Sequence, residues 1–221
     1  MPYSGVVQQL CAHVLAAQSG KARLLVAIAG PPGAGKSTIA EELVTALHAQ
    51  TGAQSAALVP MDGFHLDNAE LHQKGLFAVK GAPETFDTAD FLAFVETVRA
   101  DQGALTYPLF DRAQDKTLPD AANLPAAARI VVFEGNYLLL QRAGWSALAA
   151  MFDLTALMSV PLPELRARLV ARWLDHGLDQ AQAEARADGN DMVNARTILE
   201  QSRAPDLMLV TQADGRVVIA P

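Results

Sequence analysis

The chain has 221 residues, 51% of them hydrophobic, which is enough for one full core with a small excursion and too little for two independent domains. A formal net charge of -7 excludes nucleic acid or an anionic membrane as the main partner, because both require a basic surface that displaces counterions. One cysteine, Cys11, cannot form an intrachain disulfide, and neither a cleavable leader nor an apolar run of membrane-spanning length is evident, so the cytoplasm is the expected compartment.

Residues from about Ser4 to Gln18 form an amphipathic helical pattern that stops at Gly20. The apolar run Leu24 to Ala29 is a strand, and it leads into Gly30-Pro31-Pro32-Gly33-Ala34-Gly35-Lys36-Ser37-Thr38 ahead of a second helical pattern reaching about Gln50. This is G-x-x-x-x-G-K-[ST] in the strand, loop, helix order that the motif requires. Such a loop turns its N–H groups on a polyphosphate, Lys36 adds a positive charge, and Ser37 offers a hydroxyl to magnesium. The expected ligands are ATP and Mg2+, with Gly30 to Thr38 as the binding segment.

Further short strands are expected at Ala56 to Val59, Ile130 to Phe133, Leu154 to Val160, Leu207 to Val210 and Val217 to Ile219. Buried apolar strands separated by helices imply a three-layer α/β fold with a mainly parallel sheet, in which ligands bind beyond the carboxyl ends of the strands. Two segments fit the sheet poorly. Residues 62–125 carry few strand signals and one good helix, Asp90 to Ala100, and are assigned to an acceptor pocket. Residues 164–190 are arginine-rich and helical before an Ala-Asp-Gly-Asn run, and are assigned to a lid. The whole, 1–221, is one domain whose expected partners are a small-molecule acceptor and, at most, a second copy of the chain.

Strand-end polar residues are the candidates for chemistry. Asp62 follows the second strand, where its carboxylate serves either as a proton acceptor for a substrate hydroxyl or as an ordinary Asp-Gly turn residue. Glu134 ends the strand Ile130 to Phe133, placed to hold a magnesium shell through water or simply facing solvent. Arg168 and Arg172 are i, i+4 neighbours, so they share a helix face that either closes over transferring phosphate or is merely solvated. Lys80, Asp111 and Arg112 in the middle segment, together with His65 beside Asp62, are candidate acceptor ligands.

These motifs together resemble the uridine kinase, phosphoribulokinase and type I pantothenate kinase family, most closely its bacterial fructose-transport-system or fructokinase-like branch. Met61-Asp62-Gly63-Phe64 is similar to the Asp-Gly-Phe of pantothenate kinases, Lys80-Gly81-Ala82-Pro83-Glu84-Thr85-Phe86-Asp87 to their Lys-Gly-Phe-Pro-Glu-Ser-Tyr-Asp, and Phe133-Glu134-Gly135 to the family's Phe-Glu-Gly. The resemblance implies Asp62 as general base, Glu134 as metal-site carboxylate, and Arg168 and Arg172 as lid arginines. Phe110-Asp111-Arg112 stands where uridine kinases carry Tyr-Asp-Phe, and His176-Gly177-Leu178 where their lid has Arg-Gly-Arg. The implied activity is therefore ATP-dependent phosphorylation of an alcohol group, of a sugar such as fructose or alternatively of a nucleoside or pantothenate. A regulatory ATPase or nucleotide switch is the alternative of another class, although neither N-K-x-D nor D-x-x-G occurs.

Overall fold

The computed structural model describes residues 3–100 and 103–220. In chain order the regular elements are α1 (Ser4–Gln18), β1 (Leu24–Ala29), α2 (Lys36–Thr51), β2 (Ala56–Pro60), α3 (Asn68–Gln73), α4 (Thr88–Arg99), β3 (Leu105–Asp111), β4 (Lys116–Leu124) and β5 (Ile130–Gly135). They continue with α5 (Ser146–Ala149), β6 (Leu154–Ser159), α6 (Leu162–Asp175), α7 (Gln180–Arg186), a π-helical turn (Ala187–Asp191), α8 (Met192–Gln201), β7 (Leu207–Thr211) and β8 (Val217–Ile219).

Six strands form one sheet in the order β2-β5-β1-β6-β7-β8, parallel except for the last pair. Every residue of β1 and β5 is buried, as continuous apolar runs covered on both faces must be. Alternation along β1 divides the core in two. Leu24, Val26 and Ile28 pack with Leu10 of α1, Ile39 and Leu43 of α2, and Leu165 and Leu169 of α6. Leu25, Ala27 and Ala29 face Phe91 and Val95 of α4, Tyr137, and Leu148 of α5. The result is helix, sheet and helix in three layers, the architecture expected from the sequence.

Register fixes where chemistry can occur. Ile28 of β1 and Pro60 of β2 both pair with Glu134 of β5, so the three strands end level with one another. The phosphate-loop segment, Asp62 and Glu134 therefore emerge at one carboxyl edge.

The expectation of few strands in residues 62–125 is corrected. β3 and β4 form a separate antiparallel hairpin, with a register irregularity between Tyr107 and Leu109. Pro108 and Pro119 hide it, since proline removes a ladder donor and weakens a strand reading, yet a two-stranded ribbon has edges that tolerate it. The hairpin lies against the turn Met61–Phe64, with the Tyr107 hydroxyl donating to the Leu58 carbonyl at 2.8 Å. Among the described residues, no helix is long and apolar enough to cross a membrane.

Candidate active site

The loop after β1 enters α2 at Gly35, whose φ of 95° is left-handed and whose missing Cβ leaves room for the Tyr3 hydroxyl. Lys36 begins the helix and is buried. Its ammonium donates to the Pro31 carbonyl at 2.9 Å and to Asn136 Oδ1 at 2.8 Å, which leaves one of its three protons for a ligand. Burial pushes the Lys36 ammonium below its ordinary pKa, against the pull of Glu134 and Asp62. Ser37 Oγ donates to Glu134 Oε1 at 3.1 Å, and burial pushes that carboxyl upward while Lys36 opposes the shift. Hard oxygens from Ser37 and Glu134 side by side, with room for water, suit a cation that retains most of its hydration.

A cavity of about 570 Å³ runs from this loop to the hairpin. It is lined at one end by Gly33, Gly35, Lys36, Ser37, Thr38, Glu134 and Asn136, and farther along by Asp62, His65, Lys80, Phe110 and Arg112. Pro32 joins the lining, whereas Gly30, Pro31 and Ala34 do not. Those three shape the loop from behind: an ideal Cβ on Gly30 would meet Met158 at 2.9 Å, and Ala34 is buried in the core.

Asp62 stands between the two ends, one-third exposed, with the Arg112 guanidinium 3.4 Å from Oδ2. Arg112 is itself largely exposed, so that pair is weak and easily rearranged. His65 Nδ1 lies 2.8 Å from the Asp62 carbonyl, and the imidazole sits between Phe86 and Phe110, at centroid distances of 4.0 and 4.8 Å. Burial holds that imidazole below its ordinary pKa.

Two expected acceptor ligands take other work. The Lys80 ammonium lines the cavity but bonds Asn68 Oδ1 at 2.6 Å, Asp115 Oδ1 at 2.8 Å and the Asp115 carbonyl at 3.0 Å, which uses all three protons. It pins the hairpin tip to the cavity wall. Asp111 is half-buried at the end of β3 and does not line the cavity. Its carboxylate accepts the backbone N–H groups of Ala113 and Gln114, so Asp111 serves the hairpin turn.

The arginine pair also separates. Arg172 lines the cavity, whereas Arg168 does not; its guanidinium binds Glu164 at 2.6 Å and reaches the Gly33 carbonyl at 3.5 Å. Arg166 turns away to a bidentate pair with Asp188. Sequence reasoning missed Asn136, Asp115, Trp173, Arg186, Asp191 and Asn194 on the lining. Asn136 had a signal, since it directly follows Phe133-Glu134-Gly135. The last two had none: Asp191 follows Ala-Asp-Gly-Asn, which reads as a loop and is in fact part of the π-helical turn, and Asn194 lies on α8, a helix the sequence pattern did not reveal.

No family model matches the chain. A candidate uridine kinase of Schizosaccharomyces pombe is 35% identical over 85% of this chain and 83% of its own length. The chain belongs to the uridine kinase, phosphoribulokinase and pantothenate kinase family. A crystal structure of a protein named as a candidate fructose transport system kinase, from Silicibacter sp. TM1040, has 45% identity and a TM-score of 0.87, covering 92% of this chain and 98% of that one. The pantothenate kinase of Leifsonia xyli subsp. xyli is 30% identical over 67% of the chain and 45% of its own length. As a member of this family the protein is an ATP-dependent phosphotransferase built on a P-loop.

Proposed function

We propose that this kinase transfers the γ-phosphoryl group of ATP to an alcohol group of a sugar, with fructose the leading acceptor. The observation that carries the reading is the single cavity joining Lys36, Ser37 and Glu134 to Asp62 and then to a polar chamber. Phosphoryl transfer needs phosphate held at one end, a proton acceptor in the middle and a hydroxyl delivered from the other end. Lys36, steered by Pro31 and Asn136, would direct its remaining proton at the β- and γ-phosphate oxygens. Ser37 and Glu134 would hold Mg2+, Glu134 through water, and the bound ion supplies charge neutralisation at those oxygens. Asp62 would take the proton of the attacking hydroxyl as its oxygen bonds to phosphorus and ADP leaves.

Two observations favour a sugar over a nucleoside. The aromatic rings at the cavity already have partners within the protein: Phe110 has His65 and the Lys80 ammonium at 4.8 Å, and Trp173 has Arg172 and Arg186 at 5.3 and 5.2 Å. A nucleobase would compete with these partners for the ring faces. The name of the Silicibacter protein supports fructose in particular.

The lid reading, for residues 164–190, is narrowed by packing. Leu165 and Leu169 are fully buried, and Leu169 lies against Gly33, so the first turns of α6 belong to the core. The part proposed to close is the stretch from Arg172 through α7, which would bring Arg172 onto transferring phosphate. ADP release measured over a panel of sugars, uridine, cytidine and pantothenate at equal concentration tests the acceptor. A sugar is expected to give the highest kcat/KM, and a nucleoside or pantothenate exceeding every sugar tenfold would contradict the proposal.

A further inference from the structure

Asp191 ends the π-helical turn, a geometry that throws residues out of α-helical phase and recurs at functional sites. The residue is 8% exposed and lines the cavity. Its Oδ2 accepts the Trp173 indole N–H at 2.6 Å. Among the described residues no hydrogen bond reaches Oδ1. Burial raises its carboxyl pKa, against the Trp173 N–H and the nearby Arg172 and Arg186 guanidiniums. Oδ1 is not itself a buried unpartnered atom, so its lone pairs are open to the cavity, where a ligand hydroxyl can take the place of water.

The cations around the chamber differ in how firmly they are held, and among the described residues Arg172 has only the Trp173 ring, at 5.3 Å. Lys80 is saturated by Asn68 and Asp115, Arg112 faces Asp62, and Arg186 lies over Trp173 beside Asp191 while donating to the Ala78 carbonyl at 3.2 Å. A phosphate or carboxylate placed beside Asp191 would be repelled by it. A hydroxyl donates to the carboxylate without that penalty.

We propose that Asp191 receives hydroxyl groups of the acceptor and, through its own negative charge, selects an uncharged polyhydroxylated acceptor over its phosphorylated or carboxylated analogue. The inference rests on the sugar-kinase reading. A purely structural Asp191 would only orient Trp173, and Asp191→Asn separates the two roles because the amide oxygen still accepts the indole N–H.

The experiment has two arms. In ADP release, Asp191→Asn is expected to raise KM for the best neutral sugar by about tenfold or more, the effect of losing one charged hydrogen bond, with kcat within about threefold. Its preference for fructose over fructose 6-phosphate should narrow. Unchanged KM and preference would overturn the assignment, as would a wild-type preference for the phosphorylated sugar. The second arm reads binding without turnover, from Trp173 fluorescence in a Trp145→Phe background that leaves one tryptophan. Fructose and sorbitol are titrated against fructose 6-phosphate and gluconate. Tighter binding of the neutral members, lost in Asp191→Asn, supports the inference even if no sugar is phosphorylated. Equal or tighter binding of the charged members, or no binding of the neutral ones, overturns it.

Discussion

Gly63→Ala should disable the acceptor end of the cavity while leaving the nucleotide end intact. An ideal Cβ on Gly63 would lie 2.7 Å from the carbonyl carbon of Pro108, closer still to its oxygen, and 3.2 Å from the Leu109 nitrogen. Since carbon atoms rest at about 3.5 to 4.0 Å, β3 must retreat by on the order of 1 Å. The hairpin carries Phe110, Arg112 and Asp115, so the Lys80–Asp115 bond of 2.8 Å and the already long Arg112–Asp62 contact of 3.4 Å would be strained together. Overpacking of this kind costs about 1 to 3 kcal/mol of stability. A displacement of about 1 Å beside a reacting group costs roughly 10²-fold in rate, so kcat/KM for the acceptor should fall by that order. ATP-analogue affinity should stay within about twofold, because the phosphate loop makes no strand pairing with the hairpin. Calorimetric titration of the analogue, thermal unfolding and ADP-release kinetics read the three effects, with Gly5→Ala as control because its Cβ meets nothing within 4 Å. Wild-type stability and acceptor kcat/KM in Gly63→Ala would show that the hairpin does not need to rest on Gly63.

Lys36→Ala should lower turnover strongly with the fold retained, since it deletes the cation that Pro31 and Asn136 steer toward phosphate; wild-type turnover would remove Lys36 from the mechanism. Burial lowers the His65 pKa, so the folded protein binds fewer protons there than the unfolded chain; the resulting stability is present above about pH 6.5 and is lost as pH falls below it. Urea midpoints of wild type and His65→Phe at pH 5 and 8 check this, the expected result being a larger acid loss in wild type. Hydrogen exchange should show new protection from Arg172 through α7 when an ATP analogue and an acceptor bind together, while the first turns of α6 are protected throughout; unchanged exchange in the distal stretch would contradict the lid.

The sheet and the phosphate end of the site were legible in the sequence because both depend on short-range signals. Apolar runs bounded by turns specify buried strands, and the spacing from Gly30 to Ser37 states the loop chemistry directly. Asp62 and Glu134 were legible as strand ends, once the strands were recognised as parallel. The acceptor end was not. Lys80 has the right neighbourhood and the wrong availability, because its saturation depends on Asn68 and Asp115, which only the folded hairpin brings to it. Asp111 and Asp115 lie four residues apart at the hairpin tip, and nothing local tells which faces the cavity. Asp191 escaped notice because a π turn has no sequence period that a helix template detects.

Partition of labelled phosphate tests directly whether Asp62 serves transfer to an organic hydroxyl or to water. ATP labelled in the γ-phosphate is incubated with Mg2+, fructose and either wild-type protein or Asp62→Asn, and the label is partitioned between sugar phosphate and inorganic phosphate. Label is expected in the sugar phosphate with wild type, with a fall of about 10²- to 10⁴-fold in that rate with Asp62→Asn while ATP-analogue affinity is retained. Label released only as inorganic phosphate across the whole acceptor panel, or full transfer by Asp62→Asn, would contradict that role of Asp62.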